Sequence, residues 1–116
     1  MWMASQQGRE LLSEPAAELG EVTLSGAAPG VALAGERRNV TLCAPGGYRW
    51  APAQGDTVLV IKCGAEQTPC VTGTVQENDL APGEICHSAA QGAEIRLTPE
   101  GEIRLTGRVT VNGQEV

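Results

Sequence analysis

From residue 21 onward the apolar residues of this chain recur at every second position, in short bursts cut by glycine and proline. Alternate residues of an extended strand face opposite ways, so this period describes many short, half-buried strands. In "EVTLS" at 21–25, Val22 and Leu24 share a face; in "RNVTLC" at 38–43, Val40 and Leu42 do so. "APG" at 28–30 turns the chain toward a further strand in "VALAG", and "APGG" at 44–47 is a second turn cluster. The most apolar run, Val58-Leu59-Val60-Ile61 within 57–63, predicts a central strand buried on both faces. "CVTGTVQ" at 70–76 is its hairpin partner, and "LAPGEICHS" at 80–88 adds a turn and another strand. Five strands with the most apolar one central fit a small OB-like Greek-key barrel over residues 21–91. Its expected core residues are Val58, Val60, Val71 and Ile85.

Residues 1–20 read differently. Leu11, Leu12, Ala16, Ala17 and Leu19 give a ragged helical face, interrupted by Gly8 and Pro15. A short irregular or helical N-terminal arm is expected there. The start "MWMASQQGRELL" has no positive region followed by an apolar stretch, so no secretory signal is read and synthesis in the cytosol is expected.

After Gly92 a phrase repeats. "EIRLT" occupies 94–98 and returns at 102–106, and "RVTVNG" follows at 108–113. Ile95, Leu97, Ile103, Leu105, Val109 and Val111 point one way, while Glu94, Arg96, Glu102 and Arg104 point the other. Three such strands make a marginal sheet by themselves. Either they form a meander packed on the barrel, or identical chains wind together and bury the stripe between them. At roughly 1.5–3 kcal/mol each, the six side chains contribute about 10 kcal/mol before chain entropy is subtracted.

Composition narrows the chemistry. The 116 residues carry a net charge of −6, which opposes nucleic acid as the main partner, since phosphate demands a basic face. Two Trp, one Tyr and no Phe leave the core to Val, Leu, Ile and Ala. Cys43, Cys63, Cys70 and Cys86 are irregularly spaced, with no C-x-x-C, and the single histidine, His87, adjoins Cys86. That spacing disfavours zinc, and adjacent strand residues face apart, which disfavours a catalytic Cys–His pair. The cysteines read as small buried apolar residues, although Cys63 and Cys70 flank a turn and are able to face each other across a hairpin. No catalytic residue, metal or cofactor is expected, and the chain reads as no enzyme.

Two stretches in this order resemble the phage baseplate central spike family, the spike and baseplate assembly proteins of contractile tails. The first is "GYRWAPAQGDTVLVIKCGAEQTPCVTG" at 47–73 and the second "LAPGEICHSAAQGAEIRLTPEGEIRLTGRVTVNG" at 80–113. The resemblance covers about residues 40–116. It implies a homotrimer in a virion or phage-like particle, with barrels against the hub or tail-tip proteins. Residues 92–116 would then intertwine into a short trimeric β-helix pointing at the host envelope. Gly55 and Asp56 would open the central strand, and Pro82, Gly83 and Glu84 would turn the chain before the last barrel strand. Ile95, Leu97, Ile103, Leu105, Val109 and Val111 would line the trimer's inner stripe. Longer relatives end in a His-x-His metal apex. With His87 alone and upstream, no apical iron is expected and another protein would cap a blunt tip. The alternative is a monomeric OB-fold module that binds an oligosaccharide or single-stranded nucleic acid through Tyr48 and Trp50.

Overall fold

The computed structural model describes residues 15–116. Among the described residues the fold is all-β, with no helix, in three sheets and two compact units divided between Gln76 and Glu77.

The first unit is one sheet in the order β3-β2-β1-β5-β6-β4. Its strands are β1 (Ala17–Leu24), β2 (Gly30–Ala32), β3 (Glu36–Arg37), β4 (Thr41–Leu42), β5 (Thr57–Cys63) and β6 (Thr68–Thr74). All neighbours are antiparallel except β4 and β6, which run parallel. The core is built of valine: Val22, Val31, Val40, Val58, Val60 and Val71 are buried, with Leu33, Leu42 and Trp50 packed against them. Val31 of β2 and Val71 of β6 meet in this one cluster although two strands separate them in the sheet. The sheet therefore curls, concave side inward. Edge strands β3 and β4 do not pair with each other, so the curl stays open, but the Val40 amide reaches the Pro29 carbonyl across it at 2.9 Å.

Two bulges help the bend. One lies between Val22 and Leu24 of β1, the other opposite Leu59/Val60 of β5. The extra residue is a threonine each time, and its hydroxyl finds a neighbour. Thr23 donates to Glu36 Oε1 at 2.7 Å, and Thr72 donates to the Leu59 carbonyl at 3.3 Å. A bulge adds local twist, which a flat sheet needs in order to curl. Gly20 permits the tightest approach. A Cβ there would stand 2.6 Å from Leu33 Cδ2 and Val31 Cγ1, and 2.9 Å from the Ala32 carbonyl oxygen.

Several expectations are corrected here. The segment 17–20, read as the end of a loose or helical arm, is the first half of β1 and pairs with β5 from Ala17↔Ile61 to Glu21↔Thr57. Helical spacing lost because Glu18, Gly20 and Val22 also alternate, and β5 offers an open edge to pair with. The rest of the arm, residues 1–14, lies outside the described residues. The apolar run of β5 is buried on one face: Val58 and Val60 are fully covered, while Leu59 and Ile61 are more than a third exposed. A sheet curled around one core has no second layer in this unit to cover its outer side.

The second unit is a meander of β7 (Ile85–Ser88), β8 (Glu94–Leu97) and β9 (Ile103–Thr106), followed by a small ribbon of β10 (Thr110–Val111) and β11 (Gln114–Glu115). Within one chain the repeated phrases pair antiparallel. Gly101, with φ of 95°, makes the corner between β8 and β9, and the Thr98 hydroxyl accepts the Glu102 amide there at 2.9 Å. Ile85, expected in the barrel core, is instead on β7 opposite Leu97 and is half exposed. Its strand closes onto the tail phrases rather than onto the first sheet, which moves the boundary from the expected 91/92 to 76/77.

Candidate assembly face and aromatic groove

The meander's register sorts its side chains into two grids. Ile85, Leu97 and Ile103 lie in one row, and His87, Ile95 and Leu105 in the next, all on the same face. The opposite face carries Cys86, Arg96 and Arg104 in one row and Ser88, Glu94 and Thr106 in the other. Cys86 and His87 thus sit on opposite faces and cannot share a proton.

The charged face is the closed one. Arg96 donates from Nη1 to Glu84 Oε1 at 2.8 Å, and from Nε and Nη2 to the two oxygens of Glu94 at 3.2 and 3.1 Å. Arg104 is held by Glu102, two residues before it on the same face. Arg96 and Arg104 are directly opposite on neighbouring strands, a repulsive placement that these carboxylates neutralise. The hydrogen bond from Arg96, and then one from Cys86, hold the Glu94 carboxyl below the usual carboxylate range; Arg104 does the same for Glu102. Burial, followed by the Glu94 hydrogen bond, pushes the Cys86 thiol up.

The apolar face is the open one. Ile85, Ile95, Ile103 and Leu105 are each about half exposed or more, and Leu97 is 37% exposed. Val111 is 56% exposed, and Val109 is half-buried, its carbonyl accepting the Val116 amide at 2.9 Å. Across residues 77–116 no side chain is buried. The period-two pattern located this stripe, and the structure brings Ile95, Leu97, Ile103 and Leu105 together in one grid. It adds Ile85 and His87, which the sequence reading had not joined to it, although their alternation two residues apart on "EICHS" was the available signal.

In the first unit, Ala27, Leu42, Ala44, Pro45, Tyr48, Arg49 and Trp50 border an open groove of about 410 Å³. That volume lies within the range of small-ligand sites. Trp50 also packs against the valine core, while Tyr48 is 57% exposed. The expected turn before β5 is present: Gly55 takes φ of 91°, and the Asp56 carboxylate accepts the Ala53 amide at 3.0 Å. The expected turn at Pro82–Glu84 is also present, with the Glu84 amide on the Ala81 carbonyl at 3.0 Å, but it leads into the meander.

The cysteines depart from the uniform burial expected of them. Cys43 and Cys63 are exposed, Cys86 is half-buried and only Cys70 is buried; all four are free thiols. Among the described residues no group of His, Cys, Asp or Glu is arranged to hold a metal ion. No protein-family model matches the chain, and no curated protein matches it.

Proposed function

We propose that this chain is a structural protein that assembles with copies of itself through residues 77–116, as the homotrimeric spike of a phage or phage-like tail baseplate. One observation carries the reading: a forty-residue unit with no buried side chain shows an apolar grid on one face and a neutralised charge network on the other. A soluble chain rarely leaves such a grid wet. Three copies, each turning its grid to a common axis, would form a three-sided prism with Ile85, Ile95, Leu97, Ile103 and Leu105 inside and the arginine–glutamate pairs outside. Five such side chains per chain, at ~2 kcal/mol each, contribute about 10 kcal/mol before ordering costs. The curled first sheet is the OB-like portion in this reading, and it meets the hub of the tail. A prism closed in this way resists bending, because no strand edge is free to peel. Stiffness, rather than chemistry, is then its mechanism against the host envelope.

A second reading rests on the groove at Tyr48, Arg49 and Trp50, in a unit whose core is complete within one chain. It makes the chain a monomeric binding module for an oligosaccharide or single strand. Size-exclusion chromatography with light scattering separates the two. A mass of three chains, falling to one when residues 77–116 are removed, supports the spike. A stable single-chain mass for the whole protein at micromolar concentration sinks it.

A further inference from the structure

The outer face of the first sheet carries a second cluster that the assembly reading does not use. In the β5–β6 register Ile61 is opposite Cys70 and Cys63 opposite Thr68, so Cys63 and Cys70 share a face and lie on a diagonal. In the β4–β6 register Thr41 is opposite Cys70, and the Cys43 amide continues that ladder by donating to the Val71 carbonyl at 2.8 Å. Cys43 therefore lies on the same face, on the other diagonal of Cys70. The three thiols form a line across three strands, with the buried one in the middle and exposed ones at either end. Cys63 ends β5 and Cys43 directly follows β4, on either side of β6 and displaced in opposite directions along it, so neither reaches the other. Burial, then hydrogen bonding by Cys63 and by Cys43, pushes the Cys70 thiol up to about 11.

We infer that this line is an oxidation site, in which Cys70 forms a single disulfide with one of its two flanking thiols and the third cysteine is left outside that bond. The oxidant is a small-molecule disulfide of the glutathione class. An exposed thiolate, Cys63 or Cys43, attacks it and forms a mixed disulfide, releasing one small thiolate that takes up the proton. Cys70 then loses its proton to solvent and attacks the protein-side sulfur, displacing the second small thiol. Two protein thiols become one disulfide while one small disulfide becomes two thiols. Cys70 is the resolving group because it alone lies on a diagonal from both other thiols, and its burial leaves the first attack to the exposed ones. A diagonal is longer than a disulfide's usual Cα span, so closure draws a neighbouring strand toward β6. β4 is a two-residue edge strand, and Cys63 is the last residue of β5 before the hairpin turn. The inference is independent of the oligomeric state.

The test uses the full chain with Cys86→Ser, exposed to oxidised glutathione, followed by intact mass and thiol titration after unfolding. Once any glutathione on the third cysteine is subtracted, the expected product has lost the mass of one hydrogen pair, carries no internal bond between Cys43 and Cys63, and retains one cysteine outside the internal bond. Cys43→Ser and Cys63→Ser should each still form an internal bond. Cys70→Ser should collect glutathione without forming one. Peptide mapping of the oxidised Cys86→Ser protein covers the case in which Cys70→Ser does not fold: a linked pair containing Cys70 supports the site. A Cys43–Cys63 link, chains joined to each other, or glutathione adducts with no internal bond overturn it.

Discussion

Residues 15–76 and 77–116 solve the same problem in different ways. Both are written in period two, and both fold into short strands that are antiparallel except for the β4–β6 pair. The first unit curls its sheet until six valines enclose one another; the second stays a meander with nothing buried. The difference lies in what each sequence offers for bending. The first has two threonine bulges and a glycine that lets β2 press onto β1, whereas the meander's registers are unbroken. An unbulged three-stranded sheet has one face to hide and no means of folding over it. Its apolar grid is left exposed within the unit, and in the proposed assembly the neighbouring copies cover it.

The strongest way to break the comparison is to place the same charge in each unit. Val60→Asp buries an unpaired carboxylate in the valine cluster, which should consume most of the ~5–15 kcal/mol that holds a domain of this size. Circular dichroism should show the β signal of the first unit lost at any protein concentration. Ile95→Asp changes a residue already half exposed, so that signal should persist while light scattering shows the assembly reduced to single chains. If Ile95→Asp unfolds the first unit too, or leaves the oligomeric mass unchanged, the two units do not divide the work as described.

The next effect concerns the end of the curled sheet. Lys62 and Glu18 fall on the concave face, and Lys62 Nζ lies 3.7 Å from Glu18 Oε2 with its side chain 3% exposed. Glu18 Oε1 is buried with no hydrogen-bond partner. Lys62→Ala strands the carboxylate and should cost about 3 kcal/mol, as breaking a buried ion pair does. The double change Glu18→Leu with Lys62→Met removes both charges and should cost less than the single change. Urea unfolding curves of the three proteins give the comparison directly. Gly20→Ala should follow at about 2 kcal/mol, since the new methyl meets the Ala32 carbonyl as well as two side chains. A Leu33→Ala change made with it should recover part of that loss but not all of it.

How much of this was legible in the sequence follows from what alternation can and cannot encode. Period two reports which residues share a face, and in the structure Val58, Val60 and Val71 share one core and Ile95, Leu97, Ile103 and Leu105 one face. It does not report which strand pairs with which. Ile85 was therefore assigned to the wrong unit: its partner Leu97 lies beyond the expected boundary, and nothing in "EICHS" names that partner. Leu59 and Ile61 were read as buried because a continuous apolar run looks the same whether it has one covered face or two. The line of Cys43, Cys63 and Cys70 was beyond reach, since it needs the parallel β4–β6 pairing that no local pattern announces. Ala17–Gly20 misled for a local reason: leucine and alanine spacing around Pro15 imitates a helical face, and only the β5 edge decides otherwise.

The smallest expected effect is on the charged face, and its sign is fixed by the shifts there. Glu94 and Glu102 are both held below the ordinary carboxylate range by their arginines. A carboxylate depressed in the folded state lends stability above its unfolded value, ~4.3, and loses it as the pH falls through the lowered one. The meander should thus be indifferent to pH between 7 and about 5 and weaken only below ~4, as its pairs are protonated. Salt should distinguish the two pairs within that window. Glu102 and Arg104 are each 58% exposed, so added electrolyte should screen them, whereas Glu94, Arg96 and Glu84 are at most 28% exposed and share three hydrogen bonds. Glu102→Gln should consequently change the acid midpoint of the assembled mass little in high salt, and Glu94→Gln should shift it at every ionic strength. An acid transition that began near neutral pH would show that these carboxylate pairs do not set the response.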